Sequence, residues 1–377
     1  MIKARWTARL LATCSSIGIA ACGSNGGDGQ SLESTATAQS AIATEGHAQE
    51  SADRDKKERD GDDHCVAPGG VAALPGYSVR IWAQGTTEYS NPDSIEVDGN
   101  DVWVGFQNVT AKDGSDGKTS TVVEYDRHGH VERTFAVPGH CDGLRIDPST
   151  HIVWASSNED GNPALVSIDP ATGVITPFTF APTVHGGGYD DMAFLGGKMF
   201  IAASNPTLNA AGVNVFPALD EVTFSGTSAN VSPVLLGNIT ATDLTTSSTV
   251  TLNEVDPDSI TIDPAGDLVL DNQGGSELVF VHAPGAAGQV VSRIPLPTQV
   301  DDTVWATSNK GVLFLADATA NTIYTIRTKF VVGTVYTETP NDSSVTGMLA
   351  TIDLKTGFLA PQIIGFKKPT GLLFVAE

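Results

Sequence analysis

The chain is poor in positive charge, in cysteine and in long apolar runs. Its 377 residues hold 21 Lys and Arg against 44 Asp and Glu, a net charge of −23. That balance argues against a nucleic-acid partner, whose phosphates would be repelled, and favours a face that attracts cations. Only four cysteines are present, and no Cys-His cluster with metal-ligand spacing follows residue 63. A Gly-x-Ser-x-Gly nucleophile elbow is also missing. Gly186-Gly187-Gly188 is not followed by Lys-Ser/Thr or by a helical pattern, so it reads as a flexible turn and not as a phosphate loop. Asp113-Gly114-Ser115-Asp116-Gly117 lacks the later glutamate of an EF-hand and reads as turn chemistry. Aromatics make up 7% while Gly and Pro number 39 and 20, a composition suited to many short strands joined by turns.

The apolar stretch Leu10 to Ala21 follows Lys3, Arg5 and Arg9 and is too short to span a bilayer, so residues 1–21 read as an export signal. Its end, Ile19-Ala20-Ala21-Cys22, resembles the bacterial lipobox, which implies cleavage before Cys22 and a lipid on that cysteine. An ordinary signal peptide cleaved near Ala21 is the alternative. Gly23 stands where an Asp would imply inner-membrane retention in the Gram-negative pattern, so in such a host the resemblance implies an outer-membrane anchor. Membrane contact would be through the lipid alone. Residues 22–63 show no hydrophobic periodicity and read as a disordered tether, with residues 64–377 as the folded domain. Cys14 would leave with the signal. Cys65 and Cys141 then remain, either paired as a disulfide in an oxidising compartment or left as unbonded thiols.

The folded part is organised by one recurring hairpin. Its clearest copy runs from Pro257-Asp258-Ser259-Ile260 through Asp263-Pro264-Ala265-Gly266-Asp267 to Leu268-Val269-Leu270-Asp271-Asn272. Other copies open on Pro92-Asp93, Cys141-Asp142, Tyr189-Asp190-Asp191 and Val300-Asp301-Asp302, and close on Asn108, Asn158, Asn205 and Asp317. Pro369-Thr370 opens a truncated sixth. A second hairpin alternates with the first, within 121–137, 164–180, 278–294 and 348–366, so each repeat supplies four strands. Units of this kind cannot bury their faces alone and close into a ring. The expected fold class is therefore all-β, a β-propeller of six blades. Val300 to Asp317 is expected to open the fifth blade. The sixth would be closed by both termini, with Gly371 to Ala376 as its inner strand, Tyr77 to Ala83 as its outer one, and a hairpin within 321–336 filling the gap.

Val312 to Ile326, with its Ala316-Asp317 and Asn321, resembles the NHL-type repeat, and residues 75–377 resemble the wider NHL and SMP-30/gluconolactonase-like group of six-bladed propellers. In the lactonase branch of that group the metal is held by a glutamate near the first inner strand, an asparagine of an Asn-Gly motif and an aspartate of a Pro-Asp-Gly motif. The resemblance puts Asp258 in the last role, with Ser259 in place of glycine. Asp93 stands on the first inner strand where the family has glutamate, and Cys141-Asp142-Gly143 where Asn-Gly would be sought.

In such a ring the inner strand starts and the second strand ends on one face. The connectors of that face, 108–120, 205–212 and 237–256, are long, whereas those of the opposite face are tight turns, and long loops on a rigid scaffold are where binding is placed. Asp93, Asp142, Asp190 or Asp191, Asp258, and Asp301 or Asp302 would converge there, with Asn108, Asn158, Asn205, Asn272 and Asp317 beside them. Carboxylate and amide oxygens in that number are what Ca²⁺ takes as ligands. Each aspartate could instead bond the N–H groups of its own turn. His140 and His185 precede inner-strand acids, as bases beside a cation or as plain rim residues. Trp103, Trp154 and Trp305 read as core. The functional expectation is an envelope lipoprotein binding a small-molecule ligand or an envelope protein on its loop-rich face, without catalysis. The alternative is a Ca²⁺-dependent hydrolase of lactones or related esters.

Overall fold

The computed structural model describes residues 70–341 and 344–377. Residues 1–69, on which the expected export signal, the expected tether, Cys22 and Cys65 fall, lie outside the described residues.

The described chain is a six-bladed β-propeller. Blade one is Pro92–Asp98, Asp101–Phe106, Thr119–Tyr125 and Val131–Pro138. Blade two is Cys141–Ile146, Val153–Ser157, Ala164–Ile168 and Ile175–Phe180, and blade three is Tyr189–Leu195, Lys198–Ala203, Pro217–Ser225 and Ser228–Leu236. Blade four comprises Pro257–Ile262, Leu268–Asn272, Glu277–His282 and Val290–Pro295, with a hairpin of Thr240–Asp243 and Ser248–Thr251 added in parallel to its outer edge. Each blade is antiparallel from its inner strand outward, and its middle strands, such as Asp101–Phe106, Lys198–Ala203 and Gly311–Asp317, are buried at nearly every position, so both faces of the blade pack on neighbours. The inner strands touch in chain order, and Pro369–Ala376 against Pro92–Asp98 closes the circle.

Blades five and six exchange strands in a way the sequence pattern does not predict. Thr303–Trp305, the inner strand of blade five, pairs with Val335–Thr339 and not with Gly311–Asp317. Gly311–Asp317 pairs instead with the C-terminal strand Pro369–Ala376, and Thr322–Arg327 and Ser78–Gln84 complete blade six. The expected hairpin of Val300 to Asp317 is thus a crossover. The local reason is that Ala306 extends the pairing with the fifth blade, donating to Thr334 O and accepting from Gly333 N at 2.9 Å each, which leaves 307–310 to bridge to the next blade. After two strands there, the chain returns to finish blade five with Gly347–Asp353 and Phe358–Phe366. Both blades are fastened by the start of the described chain, since Ala72–Ala73 pairs with Phe358–Phe366 just before Ser78–Gln84 joins blade six. The expected closure by both termini is borne out, with its middle strands drawn from 311–327.

Six apolar clusters hold the blades together, one at each seam. Trp103, Phe135, Leu144 and Val153 fill the first, and Leu165, Met192, Met199 and Ile201 the second. Phe200 and Leu219 pack on Ile260 and Leu270 in the third, and Leu278 and Ile294 on Trp305 and Val335 in the fourth. Tyr336 and Leu349 meet Leu313 and Leu372 in the fifth, and Phe314 and Ile323 meet Val104 and Phe106 in the sixth. A blade edge left without its neighbour would expose a whole cluster, which is why the ring must close.

Candidate functional site: an acid-lined tunnel mouth

The inner strands begin with a bulge. In blades one to four the register slips between Pro92 and Ile95, Cys141 and Leu144, Tyr189 and Met192, and Pro257 and Ile260. A bulge re-aims the side chains it releases. The first released residue is Asp93, Asp142, Asp190 and Asp258, and the corresponding positions of blades five and six hold Asp301 and Thr370. All six line one cavity of about 280 Å³ on the loop-rich face.

The second released residue locks blade to blade. Ser94 Oγ donates to Asp142 O across the first seam, and Ser156 Oγ, standing in for the side chain that Gly143 lacks, donates to Asp190 O across the second. Asp191 Oδ2 accepts from Ile260 N at 3.0 Å, and Ser259 Oγ donates to Asp301 Oδ1 at 3.4 Å. Asp302 Oδ2 accepts from Leu372 N at 2.8 Å, and at the last seam, where the second position is Gly371, the first-position Thr370 donates through Oγ1 to Pro92 O at 3.4 Å. Beneath them Arg145 pairs with Asp191 and Glu96 and donates to Ile260 O at 3.0 Å, with Asp302 Oδ1 4.0 Å away. Asp191 and Asp302 are therefore structural acids, and the cavity belongs mainly to the first set.

Connectors complete the mouth. Lys112 forms an ion pair with Glu159, which is buried although it follows the second strand of blade two. His140 Nδ1 lies 2.8 Å from Thr110 Oγ1, and its Nε2 lies 3.3 Å from Asp142 Oδ1. Gln107 Nε2 donates to the same Asp142 oxygen at 3.2 Å, and Gln273 Nε2 to Asp301 Oδ2 at 3.4 Å. Asp142 Oδ2 is buried and has no hydrogen-bond partner among the described residues.

Electrostatics follows from this crowding. Burial pushes the Asp93 carboxyl up to about 8, with a hydrogen bond to Thr370 opposing the shift. Burial, reinforced by neighbouring acids, raises Asp142, Asp190 and Asp301 well above the ordinary carboxylate value. Asp258 is also well raised by burial, and its carboxyl lies against that of Asp190, so a proton or a cation between the two would relieve their repulsion. Burial alone would raise Glu159, but the Lys112 ammonium outweighs it and holds the carboxyl below its usual value. His140 is lowered by burial and is neutral at pH 7.

The polar residues closing the second strands lie elsewhere. Asn158 accepts from His140 N at 2.8 Å and donates to Asn162 O at 2.9 Å, and Asn205 donates to Asp160 Oδ1 at 3.0 Å. Asn272 accepts from Asp256 N and Gly275 N and donates to Asn253 O, Glu254 and Glu277. Asn108 accepts from Ser90 N, and Asp317 from Lys367 N and Lys368 N. Asn108, Asn158 and Asn272 use their oxygens, and Asn205 its amide nitrogen, in stapling the loops of the rim, and Asn158, Asn205 and Asn272 are not among the residues lining the cavity. Asn108, Asn158 and Asn205 have φ of 56°, 73° and 46°, a left-handed geometry that asparagine tolerates better than most residues. His185 Nε2 donates to Gly188 O of its own loop, 2.8 Å away, and stands apart from the mouth. Cys141 is buried and bonded to no other cysteine among the described residues, and Cys65, expected either to pair with it or to remain an unbonded thiol, lies outside them. Sequence reasoning did not single out Lys112, Glu159, Arg145 or Glu96.

A mouth with this many carboxyls takes up protons, a cation, or both. The donor set suits Ca²⁺, which uses six to eight oxygens from carboxylates, carbonyls and side-chain amides: Asp142, Asp190, Asp258 and Glu159 supply charge, and Gln107 and Gln273 supply amides. The unpartnered Asp142 Oδ2 is the atom that such an ion would satisfy. One ligand atom each from His140, Asp142 and Glu159 also lie within 4.8 Å of one another.

No protein-family model matches the chain, and neither does any curated protein. Among solved structures it is similar to a protein of unknown function from Bacteroides caccae, at 11% identity over 76% of this chain and 87% of that one, with a TM-score of 0.46. It is also similar to a protein from Lactobacillus plantarum, at 12% identity over 76% and 89%, with a TM-score of 0.43. A third is virginiamycin B lyase from Staphylococcus aureus, at 11% identity over 69% and 95%, with a TM-score of 0.37. The blade count rests on the chain's own strand pairing.

Proposed function

We propose that this chain is an exported, lipid-anchored propeller that binds a small polar ligand over a Ca²⁺ held at its tunnel mouth. The observation that carries the reading is the acid set Asp142, Asp190 and Asp258: crowded in one cavity, raised by burial, and with one oxygen left unpartnered. The cavity of about 280 Å³ suits a small molecule, and its charged and amide lining suits one rich in oxygen. The signal-like start and the lipobox pattern ending at Cys22 support an envelope location, with residues 22–63 as the tether. The likeness in sequence pattern to NHL and SMP-30/gluconolactonase-like propellers agrees with a site on this face. An envelope protein seated on the same loops is the other kind of partner that the long connectors could serve.

The test is the melting temperature of the purified full chain in EDTA and after Ca²⁺ is restored. An ion present at a thousand times its dissociation constant stabilises the native state by about 4 kcal/mol, a shift of several degrees. A reversible shift of that kind, lost in Asp142→Asn, is the expected result. No shift, together with no metal in the purified protein, overturns the reading.

One observation favours hydrolysis as a second reading. His140 is neutral, its Nδ1 is fixed by Thr110, and its Nε2 faces the mouth beside Asp142. A bound cation there would supply Lewis-acid polarisation of an ester carbonyl or of a water. His140 Nε2 is placed to accept a proton from a water in the cavity, and Lys112 to attract an anionic substrate. Lactone or ester turnover that disappears in His140→Gln while the Ca²⁺ shift persists is what this reading expects. Turnover unchanged in that variant overturns His140 as the base.

A further inference from the structure

On the face opposite the acid mouth, the seam between blades six and one opens into a cleft of about 360 Å³ whose lining is basic and aromatic. The described residues contain six arginines: 80, 127, 133, 145, 293 and 327. Three of them are committed to buried or half-buried carboxylates, Arg133 to Glu124, Arg145 to Asp191 and Glu96, and Arg293 to Glu277 and Asp243. The other three all line this cleft. In a chain of net charge −23, gathering half of the described arginines at one place is not accounted for by stability.

The arginines differ in what they hold. Arg327 donates through Nη1 and Nη2 to the Glu377 carboxylate at 2.9 and 2.6 Å, so one guanidinium already has an acid in its fork. Arg127 spends its head group on the Gly99 carbonyl, which fixes its position at the turn. Arg80 is exposed and has no hydrogen-bond or ion-pair partner among the described residues. The same cleft is lined by Trp82 and Phe314, edge to face with centroids 5.2 Å apart, and Trp82 Nε1 donates to Arg127 O at 3.2 Å. Planar, weakly hydrated guanidinium groups and aromatic rings lining one cleft are the chemistry that recognises a carboxylate on an apolar body.

We propose that this cleft is a second binding site, for a small amphiphilic carboxylate whose acid group meets Arg80 beside Arg327 and whose apolar body lies on Trp82 and Phe314. Glu377 occupies part of the same charge and competes with the ligand. The site is independent of the tunnel mouth and of any cation there.

The probe is 4-phenylbutyrate, titrated into the purified full chain with Trp82 as the reporter, by indole fluorescence or the Nε1 proton resonance. Saturable binding is expected, weaker by about tenfold (1.4 kcal/mol) in Arg80→Ala and for the neutral probe 4-phenylbutanamide. Glu377→Gln should bind more tightly than the parent chain, because a competing carboxylate is removed. Arg80 is exposed, so an unchanged melting temperature verifies that its variant is folded. Lack of saturation into the millimolar range, equal affinity for acid and amide, or unchanged affinity in Arg80→Ala each overturns the proposal. Binding that EDTA abolishes would place the probe at the tunnel mouth and would also overturn it.

Discussion

Leu372 N donates to Asp302 Oδ2 over 2.8 Å, and this bond ties the last strand of the chain to the fifth blade. The same carboxylate approaches Arg145, which reaches across the tunnel from blade two. One acid thus serves both circumferential closure and the cross-tunnel network. The two roles separate by chemistry: the bond to Leu372 needs only an acceptor, whereas the contact with Arg145 needs charge.

Asp302→Asn should therefore keep the Leu372 bond and lose stability modestly, while Asp302→Ala should lose about 3 kcal/mol, the cost of a broken buried network. Urea unfolding of the two variants separates these outcomes. Equal loss in both would mean that charge on Arg145, and not strand closure, is what Asp302 supplies.

The buried acids make stability depend on pH in a stated direction. Burial puts Asp93 at about 8, and Asp191 and Glu96 at about 7. An acid raised in this way holds a proton in the folded state that the unfolded chain releases near pH 4. Its stabilising effect is complete below that value and disappears as pH climbs through the folded pKa. Without a cation, the melting temperature should fall from about pH 5 to about pH 8. With Ca²⁺ the dependence should flatten, because the ion replaces protons and its contribution grows over the same window. Melting curves at three pH values, each in EDTA and in Ca²⁺, check both. An EDTA series that rises with pH contradicts the assignment of these acids.

Replacing one acid of the mouth should have opposite effects in the two conditions. Asp190 and Asp258 repel each other unless a proton or a cation lies between them. In EDTA, Asp190→Asn should melt at or above the parent temperature, since the repulsion is relieved. In Ca²⁺ it should melt lower, since a ligand is gone. Asn272→Ala should behave otherwise: it strands the loop groups that Asn272 bonds, costs about 2 kcal/mol in both conditions, and leaves the Ca²⁺ increment intact.

That contrast also marks how far the sequence could be read. The bulged starts, from Pro92-Asp93 to Pro369-Thr370, are local, and their recurrence was enough to place five aspartates around one axis. The asparagines were misplaced because the left-handed loop positions of Asn108, Asn158 and Asn205 look, in sequence, like convergent polar ends. The signal was present in the turn residues around them. The crossover between Trp305 and Gly311 leaves no local trace, since choosing Val335–Thr339 as partner is a non-local pairing. Glu96 and Arg145 could have been found. Each interrupts an apolar inner strand at the same position of adjacent blades, where alternation points a side chain into the tunnel. Lys112 and Glu159 lie in connectors without periodicity, and only the packing of blade one on blade two brings them together.

Closure itself depends on a residue without a side chain. A Cβ at Gly371 would sit far inside van der Waals contact with the Asp93 carbonyl oxygen, with Ala316 Cβ 3.2 Å away, so the backbone neighbour cannot give without moving a strand. Gly371→Ala should therefore push the C-terminal strand away from blade one and weaken the only seam that joins the two ends of the ring. The expected loss is about 3 kcal/mol or more, typical of overpacking against backbone. It should appear as earlier protease cleavage near the last strand and as a lower urea midpoint. Gly333→Ala is the control: its φ of 87° carries the usual left-handed strain, but nothing stands within 4 Å of a new Cβ. It should cost only about 1 kcal/mol. If the two alanine variants unfold together, the close approach of the first and last inner strands is not what holds this ring shut.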